Sequence, residues 1–194
     1  MTARSSTILD AAEAASRTGG ASFTLRLRAE RALFLVCWTL LAAWTPPMLR
    51  GWRRGLLRLF GAQMERGANV YASVRIWHPR LLAMGEHATL GPRVNCYNQA
   101  QVTLGAFAIV SQDATLCAGT HDYEDPDFQL RTRPIVVGAH AWVAAEAFVG
   151  PGVHVGDHAV LGARGVACKD LAGGVVHAGN PARAIKPRRI RSCR

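Results

Sequence analysis

From residue 64 onward, apolar positions recur every sixth residue. Met64, Val70 and Ile76 begin the series; Met84, Leu90 and Cys96, then Leu104, Val110 and Leu116, then Val137, Val143 and Val149 continue it, and Val155, Leu161 and Ala167 close it. The residue after each is often glycine, as at Gly85, Gly91, Gly105, Gly138, Gly150, Gly156 and Gly162. Four residues after each lead usually stands a small or β-branched residue, such as Ala68, Val74, Ala88 or Ala141, with Arg80 and Leu171 as exceptions near the ends. A period of six fits neither an α-helix nor the alternation of a hairpin sheet. It fits a parallel β-helix, in which each hexad supplies one flat face and its lead residue points into a prism. A single coil cannot bury its own leads, so a stack of about five coils is the predicted folding unit.

The triplets start at residues 64, 84, 104, 137 and 155, in steps of 20, 20, 33 and 18. Eighteen is three hexads, one triangular turn. The first two steps add two residues at a corner, and the third carries an insertion, residues 122–136. The predicted organisation is a tail and helical arm over 1–61, a solenoid over 62–176 interrupted by that loop, and a basic segment over 177–194.

In the arm, residues 1–22 are rich in Ala, Ser, Thr and Gly and predict a tail of little order. Ala32 to Trp44 runs without a charge and is closed by Pro46-Pro47. A spanning helix needs about 20 apolar residues, so this run is too short to cross a bilayer. It also begins too far into the chain, with no small-residue cleavage site, for a secretory signal. It predicts a buried or interfacial helix, followed by a second, amphipathic one around Met48 to Phe60 carrying Arg50, Arg53, Arg54 and Arg58. Residues 23–60 therefore either pack on the body or a neighbouring subunit, or make peripheral contact with a membrane surface.

Composition sharpens this. In 194 residues, 49% are hydrophobic, enough to bury a core, and the formal net charge is +10. Residues 1–61 hold nine Arg against three acids, residues 62–136 six Arg against seven, and residues 137–194 eight basic residues against three. A nucleic-acid binder spreads basic residues over its folded body, and the near-neutral middle argues against that partner. A membrane surface suits the first block and a phosphate-bearing small molecule the last. The five cysteines form no CxxC pair, which points to a reducing, cytoplasmic setting and away from a structural zinc site.

The insertion is the place to look for chemistry, because long loops in compact domains are usually functional. His121 stands where the coil breaks, beside Asp122, Glu124, Asp125 and Asp127. An imidazole can take a proton from a hydroxyl near neutral pH, and an acidic or carbonyl partner on its other nitrogen would fix the tautomer. His87, His140 and His158 each follow a lead by three residues and are expected as solvated corner residues. Cys117 could be a nucleophile forming an acyl-enzyme, a reading that only nearness to His121 supports. A zinc site of the kind in γ-class carbonic anhydrases, which share such a solenoid, needs three His. No second His lies within fifteen residues of His121, so no metal is expected.

The hexad resembles that of the hexapeptide-repeat transferases, whose fold is the left-handed parallel β-helix. More specifically, Val94-Asn95-Cys96-Tyr97-Asn98, Leu104-Gly105 with Ile109-Val110-Ser111-Gln112, Leu116 through Tyr123, Pro134 through Gly138, Cys168-Lys169-Asp170 and Gly179 through Arg183 resemble the colanic acid biosynthesis acetyltransferases. These are relatives of the galactoside, maltose and nodulation O-acetyltransferases. The resemblance covers roughly residues 24–188 and implies acetyl-CoA-dependent transfer to a sugar hydroxyl in a homotrimer, with sites between neighbouring solenoids. It implies that His121 is the general base, that Asn95 and Asp122 lie on the acceptor side, that Trp142 flanks the CoA arm, and that Ala145 and Ala163 meet pantetheine. Ala145 stands where better-known relatives carry a small hydroxyl residue. Lys169, Arg183 and Lys186 match basic positions near the nucleotide phosphates. The rival expectations are a non-catalytic or γ-carbonic-anhydrase-like solenoid and transfer to an amino-sugar nitrogen.

Overall fold

The computed structural model describes residues 23–190; the stretch 1–22, expected as a tail, lies outside the described residues. Three parallel sheets form the faces of a prism. The first face stacks Gln63–Met64, Leu82–Met84, Val102–Leu104, Ile135–Val137 and His154–Val155. The second stacks Asn69–Val70, Thr89–Leu90, Ile109–Val110, Trp142–Val143, Val160–Leu161 and Val175–Ala178. The third stacks Arg75–Ile76, Asn95–Tyr97, Thr115–Cys117, Phe148–Val149 and Val166–Ala167. The result is a left-handed parallel β-helix of five complete coils and a partial sixth. Leu171, an exception in the hexad pattern, is buried because it leads that sixth coil, bridging to Val155.

Leads stack on leads, Met64 on Met84, Met84 on Leu104, Leu104 on Val137 and Val137 on Val155. All are buried except Ile76, which sits on the outermost strand of the third sheet and is half-buried.

Most corners of the later coils are made by non-glycine residues in the left-handed region, whereas Gly67 turns the first. Between the first and second faces these are His87, Phe107, His140 and His158, and between the second and third Arg93, Asp113, Glu146 and Arg164, all with φ from 54° to 59°. Each such residue costs about 1–2 kcal/mol of backbone strain. The turn offsets this by aiming its N–H at the coil below: Phe107 donates to Glu86, His140 to Ala106, His158 to Ala139 and Arg164 to Ala145. The three histidines stand on the outside of this corner, His87 and His140 exposed as expected from sequence and His158 half-buried. With Phe107 they form one continuous stack of rings, with centroids 5.2, 5.0 and 4.8 Å apart. The second corner is an ion-pair ladder, Arg93 to Asp113 at 2.6 Å and Arg164 to Glu146 at 2.7 Å.

In the arm, α1 (Leu25–Leu41) starts at Thr24, whose hydroxyl accepts from Leu27 N, and α2 (Arg50–Leu59) follows the Pro pair. Phe34, Trp38, Ala42, Leu56 and Leu57 join Met64 and Val70 in the core and close the open end of the first coil. Arg53, expected on a basic helix surface, is instead 1% exposed. Its guanidinium donates to the carbonyls of Val70 (2.8 Å) and Pro46 (3.0 Å) and to Thr45 Oγ1 (2.8 Å), tying arm to coil.

The solenoid extends slightly past residue 176, because Val175–Ala178 pairs with Val160–Leu161 and receives Arg183–Pro187 antiparallel. The excursion from the third coil is a hairpin, Gly119–His121 against Leu130–Thr132. Ile135, within the span assigned to the insertion, is already on the first face beside Val102.

Candidate active site

His121 ends the first strand of the hairpin, opposite Leu130. Its Nδ1 lies 2.9 Å from the carbonyl oxygen of Phe128, and its ring stacks on the Phe128 ring at 4.5 Å and 8°. A carbonyl oxygen can only accept, so Nδ1 carries the hydrogen and Nε2 presents a lone pair. The side chain is exposed, leaving that lone pair open to a ligand.

The loop beyond His121 is held by its own acids. Asp122 N donates to Gln129 O at 2.8 Å; Asp122 Oδ1 accepts from Glu124 N, and Oδ2 meets Arg131 at 3.2 Å. Asp125 Oδ1 accepts from Asp127 N at 2.8 Å, and Asp125 O accepts from Phe128 N at 2.9 Å. These short-range Asx contacts bring Phe128 back over His121, with Phe128 at φ 54°. Both carboxylate oxygens of Asp122 are thus engaged within the loop.

At the hairpin's root, Gly119 lies against the buried Gln99 of the coil below, and a methyl group on Gly119 would overlap Gln99 Oε1. Gln99 Nε2 donates to the Tyr97 hydroxyl at 2.9 Å. Next to it, buried Asn98 accepts from Trp77 N and His78 N, each at 3.1 Å, and donates to His78 O at 2.7 Å, locking the second coil to the first. Sequence reasoning missed Phe128, Gln99 and Arg131. Phe128 had one signal, a large aromatic ring, one of two with Tyr123, in an acidic loop.

The remaining expected residues fall into an order along the solenoid. Asn95 is on the third face of the second coil, in register with Thr115 one coil above and outside the buried Cys96. Trp142 stands on the second face of the fourth coil, 43% exposed, its Nε1 donating to Ser111 Oγ at 2.8 Å. It borders a shallow depression with Phe107, Ile109, His140 and Arg188. Ala145 and Ala163 lie at the corner between the second and third faces, in the fourth and fifth coils, and the Ala145 carbonyl accepts from Arg164 N. Lys169 is exposed just past the third face of the fifth coil, and Arg183 and Lys186 are exposed on the C-terminal strand.

One chain does not gather them. His121 hangs from the far end of the third face, while Trp142 lies on the second face, across the corner at Ala145. Cys117 Sγ donates to Gly119 O at 3.1 Å, so the thiol hydrogen is held on a backbone acceptor. Buried Cys96 has its thiol pushed up to about 12 by burial. Among the described residues, no group of three or more His, Cys, Asp or Glu is arranged to hold a metal ion.

No protein-family model matches the chain. It is 42% identical over 146 residues to the colanic acid biosynthesis acetyltransferase WcaF of Escherichia coli K12, covering 75% of this chain and 80% of that protein. It is 31% identical over 137 residues to the galactoside O-acetyltransferase of the same organism, covering 69% and 68%. Among solved structures, a maltose O-acetyltransferase from Clostridium difficile 630 matches with a TM-score of 0.75 at 22% identity, over 86% of this chain and 90% of that one. A galactoside acetyltransferase in complex with coenzyme A matches with a TM-score of 0.73 at 22% identity, over 89% and 88%.

Proposed function

The chain belongs to the acetyltransferase family that includes the colanic acid biosynthesis and galactoside enzymes, and from that membership we propose that it moves the acetyl group of acetyl-CoA to a hydroxyl of a cell-envelope or exopolysaccharide sugar. The observation that carries the chemistry is the Nδ1 contact of His121 with the Phe128 carbonyl, which leaves Nε2 as the proton acceptor.

In this reading the sugar hydroxyl gives its proton to His121 Nε2 as its oxygen attacks the thioester carbonyl carbon. The tetrahedral oxyanion is met by backbone N–H groups. Its collapse breaks the C–S bond, and the departing CoA sulfur takes the proton back from the imidazolium, so no covalent enzyme intermediate is needed. Asn95 and Asp122 belong to the acceptor side, Asn95 on the same third face one coil below and Asp122 through the loop it organises.

Coenzyme A is long, with its thiol at one end and its phosphates at the other. The residues assigned to it ascend in that order: His121 at the third coil, Trp142 and Ala145 at the fourth, Ala163 at the fifth, then Lys169, Arg183 and Lys186. At about 4.8 Å per coil, the span from the third coil to the sixth is about 14 Å along the axis. Because His121 and Trp142 stand on different faces of one prism, the working site forms where two copies of a homotrimer meet, one giving His121 and the other the CoA-binding face. The enzyme then works on the cytoplasmic side, where its cosubstrate is held.

The test is incubation of the purified protein with labelled acetyl-CoA and a panel of envelope glycan precursors, with alkali lability of the product separating an ester from an amide. An alkali-labile acetyl sugar formed by the wild type and lost in His121→Ala is the expected result. Normal turnover by His121→Ala overturns the base assignment, and loss only in Cys117→Ser points to an acyl-enzyme.

A further inference from the structure

The N-terminal helix α1 is apolar on two opposite sides. One side, Leu27, Phe34, Trp38 and, just beyond the helix, Ala42, is buried against the body. Leu25, Leu33, Val36 and Leu40 follow one another at helical spacing on the other side, and all are exposed, Leu40 at 64%. The stripe continues past the helix into Trp44, 70% exposed, and Met48, 82% exposed, and is met by Trp52 of α2. From Ala32 to Leu41 the helix carries no charge and is apolar on both sides, a pattern ordinarily buried on both, and among the described residues nothing covers this outer side. It lies on the cap that closes the first coil, and its buried side faces the prism.

We infer that this cap docks on a bilayer surface bearing anionic headgroups. The charge around the stripe points to that occupant. Residues 23–60 contain seven Arg and one acid, Glu30, which is taken up by Arg26 at 3.0 Å. Arg28 and Arg50 are exposed near its two ends. A second copy seated on the same stripe would set this cationic rim against itself. Residues 1–22 offer only Met1, Ile8 and Leu9 as large apolar side chains, too few to cover it. The tryptophans suit an interface: Trp44 Nε1 donates to Leu40 O at 2.7 Å and Trp52 Nε1 to Leu41 O at 2.8 Å. Both indole N–H groups are therefore satisfied within the chain, and the rings can enter the acyl boundary without leaving an orphan donor.

The geometry is of a helix lying on the surface. At 1.5 Å per residue α1 is about 25 Å long, and no helix among the described residues is long and apolar enough to cross a membrane. If the solenoids of the trimer proposed above run along its three-fold axis, three caps face the same side and engage one plane together, which multiplies a weak single contact. A lipid-linked sugar in that bilayer would then approach from the capped half of the solenoid, where Asn95 and His121 lie in the second and third coils.

The test uses the full chain and vesicles of equal parts phosphatidylcholine and phosphatidylglycerol, compared with phosphatidylcholine alone, at low and high salt. Co-sedimentation with the anionic vesicles is expected to fall by about tenfold or more with neutral ones or at high salt. The combined Leu33→Ser, Leu40→Ser and Trp44→Ser variant loses it while keeping acetyl transfer to a soluble sugar. Arg28→Glu with Arg50→Glu, which leaves the apolar residues in place, loses it as well. Wild type that stays in the supernatant, or a triple variant that sediments like wild type, overturns the inference. So does a wild-type assembly whose sedimentation coefficient drops in the triple variant without vesicle binding, which would show a second copy on the stripe. Vesicle binding by a protein that transfers no acetyl group would leave this inference standing and overturn the proposed function alone.

Discussion

The Nδ1 of His121 and the carbonyl oxygen of Phe128 are 2.9 Å apart, and the two rings lie 8° from parallel. One residue thus fixes both the tautomer and the plane of the imidazole, the first through its backbone and the second through its side chain. Phe128→Ala keeps the carbonyl and removes the ring. It is expected to lower kcat by on the order of tenfold through misorientation alone, with KM for acetyl-CoA little changed. His121→Ala is expected to lower kcat by about a hundredfold or more. Steady-state kinetics of the two variants separate positioning from proton transfer.

The hairpin that carries His121 depends on the absence of a side chain at Gly119. A methyl group there meets Gln99 Oε1 in a buried position. Gly119→Ala is expected to cost about 1–3 kcal/mol by overpacking and to displace His121, lowering activity further than stability. Adding Gln99→Ala removes the obstruction, so the double variant should recover both in part. Urea unfolding and turnover of the four proteins in that cycle measure the coupling.

These two residues show where reading the chain succeeded and where it ran out. The lead positions were legible because a lead's neighbours are other leads at fixed spacing, so one pattern specifies all of them; even Leu171 proved to be a lead of the next coil. His121 stood out because it sits at the break in that pattern. Gln99, Arg53 and Phe128 were not legible, because each acts on a partner set by stacking or by a turn. Gln99 meets Gly119 one coil away, Arg53 reaches Val70 across the arm, and Phe128 returns to His121 only after the Asx contacts of Asp122 and Asp125. The stacking at the histidine corner was not legible for a related reason: residues about twenty or more apart in sequence become ring-to-ring neighbours only when coils stack.

Stability should carry a pH dependence from His78. Burial holds its imidazole below the ordinary range, against the opposing pull of Glu30 at 3.7 Å. The unfolded chain takes up a proton at this residue near its usual value of about 6.5, while the folded chain resists until a lower pH. The stabilising contribution is therefore present above about pH 6.5 and lost as pH falls through the lowered folded value. His78→Asn can still accept from Arg80 N, as Nδ1 of His78 does at 3.2 Å, but it does not titrate. Urea midpoints followed from pH 8 to 5 should fall more steeply for wild type than for this variant; parallel curves would remove His78 as the cause.

Arg53 provides the sharpest test of how the arm is held. It is 1% exposed, and its Nε and Nη1 atoms reach Val70 O, Thr45 Oγ1 and Pro46 O. Burial pushes its pKa down, with Tyr71 pulling the other way, but a guanidinium starts so high that it stays charged at any working pH. The charge is tolerated because the donors of a planar fork find fixed carbonyls. Arg53→Ala leaves the Val70 and Pro46 oxygens without their partner and opens space under α2, so a loss of about 3 kcal/mol or more is expected. Arg53→Lys keeps the charge but cannot bridge coil and Pro turn at once, and should recover only part of that loss. Arg53→Met, which fills the volume without donors, distinguishes packing from hydrogen bonding. If Met restores wild-type stability in urea unfolding, the fork contributes nothing beyond its bulk. If Met remains near Ala, the hydrogen bonds hold the cap on the solenoid, and loss of that cap exposes the Met64 and Val70 leads that begin the whole stack.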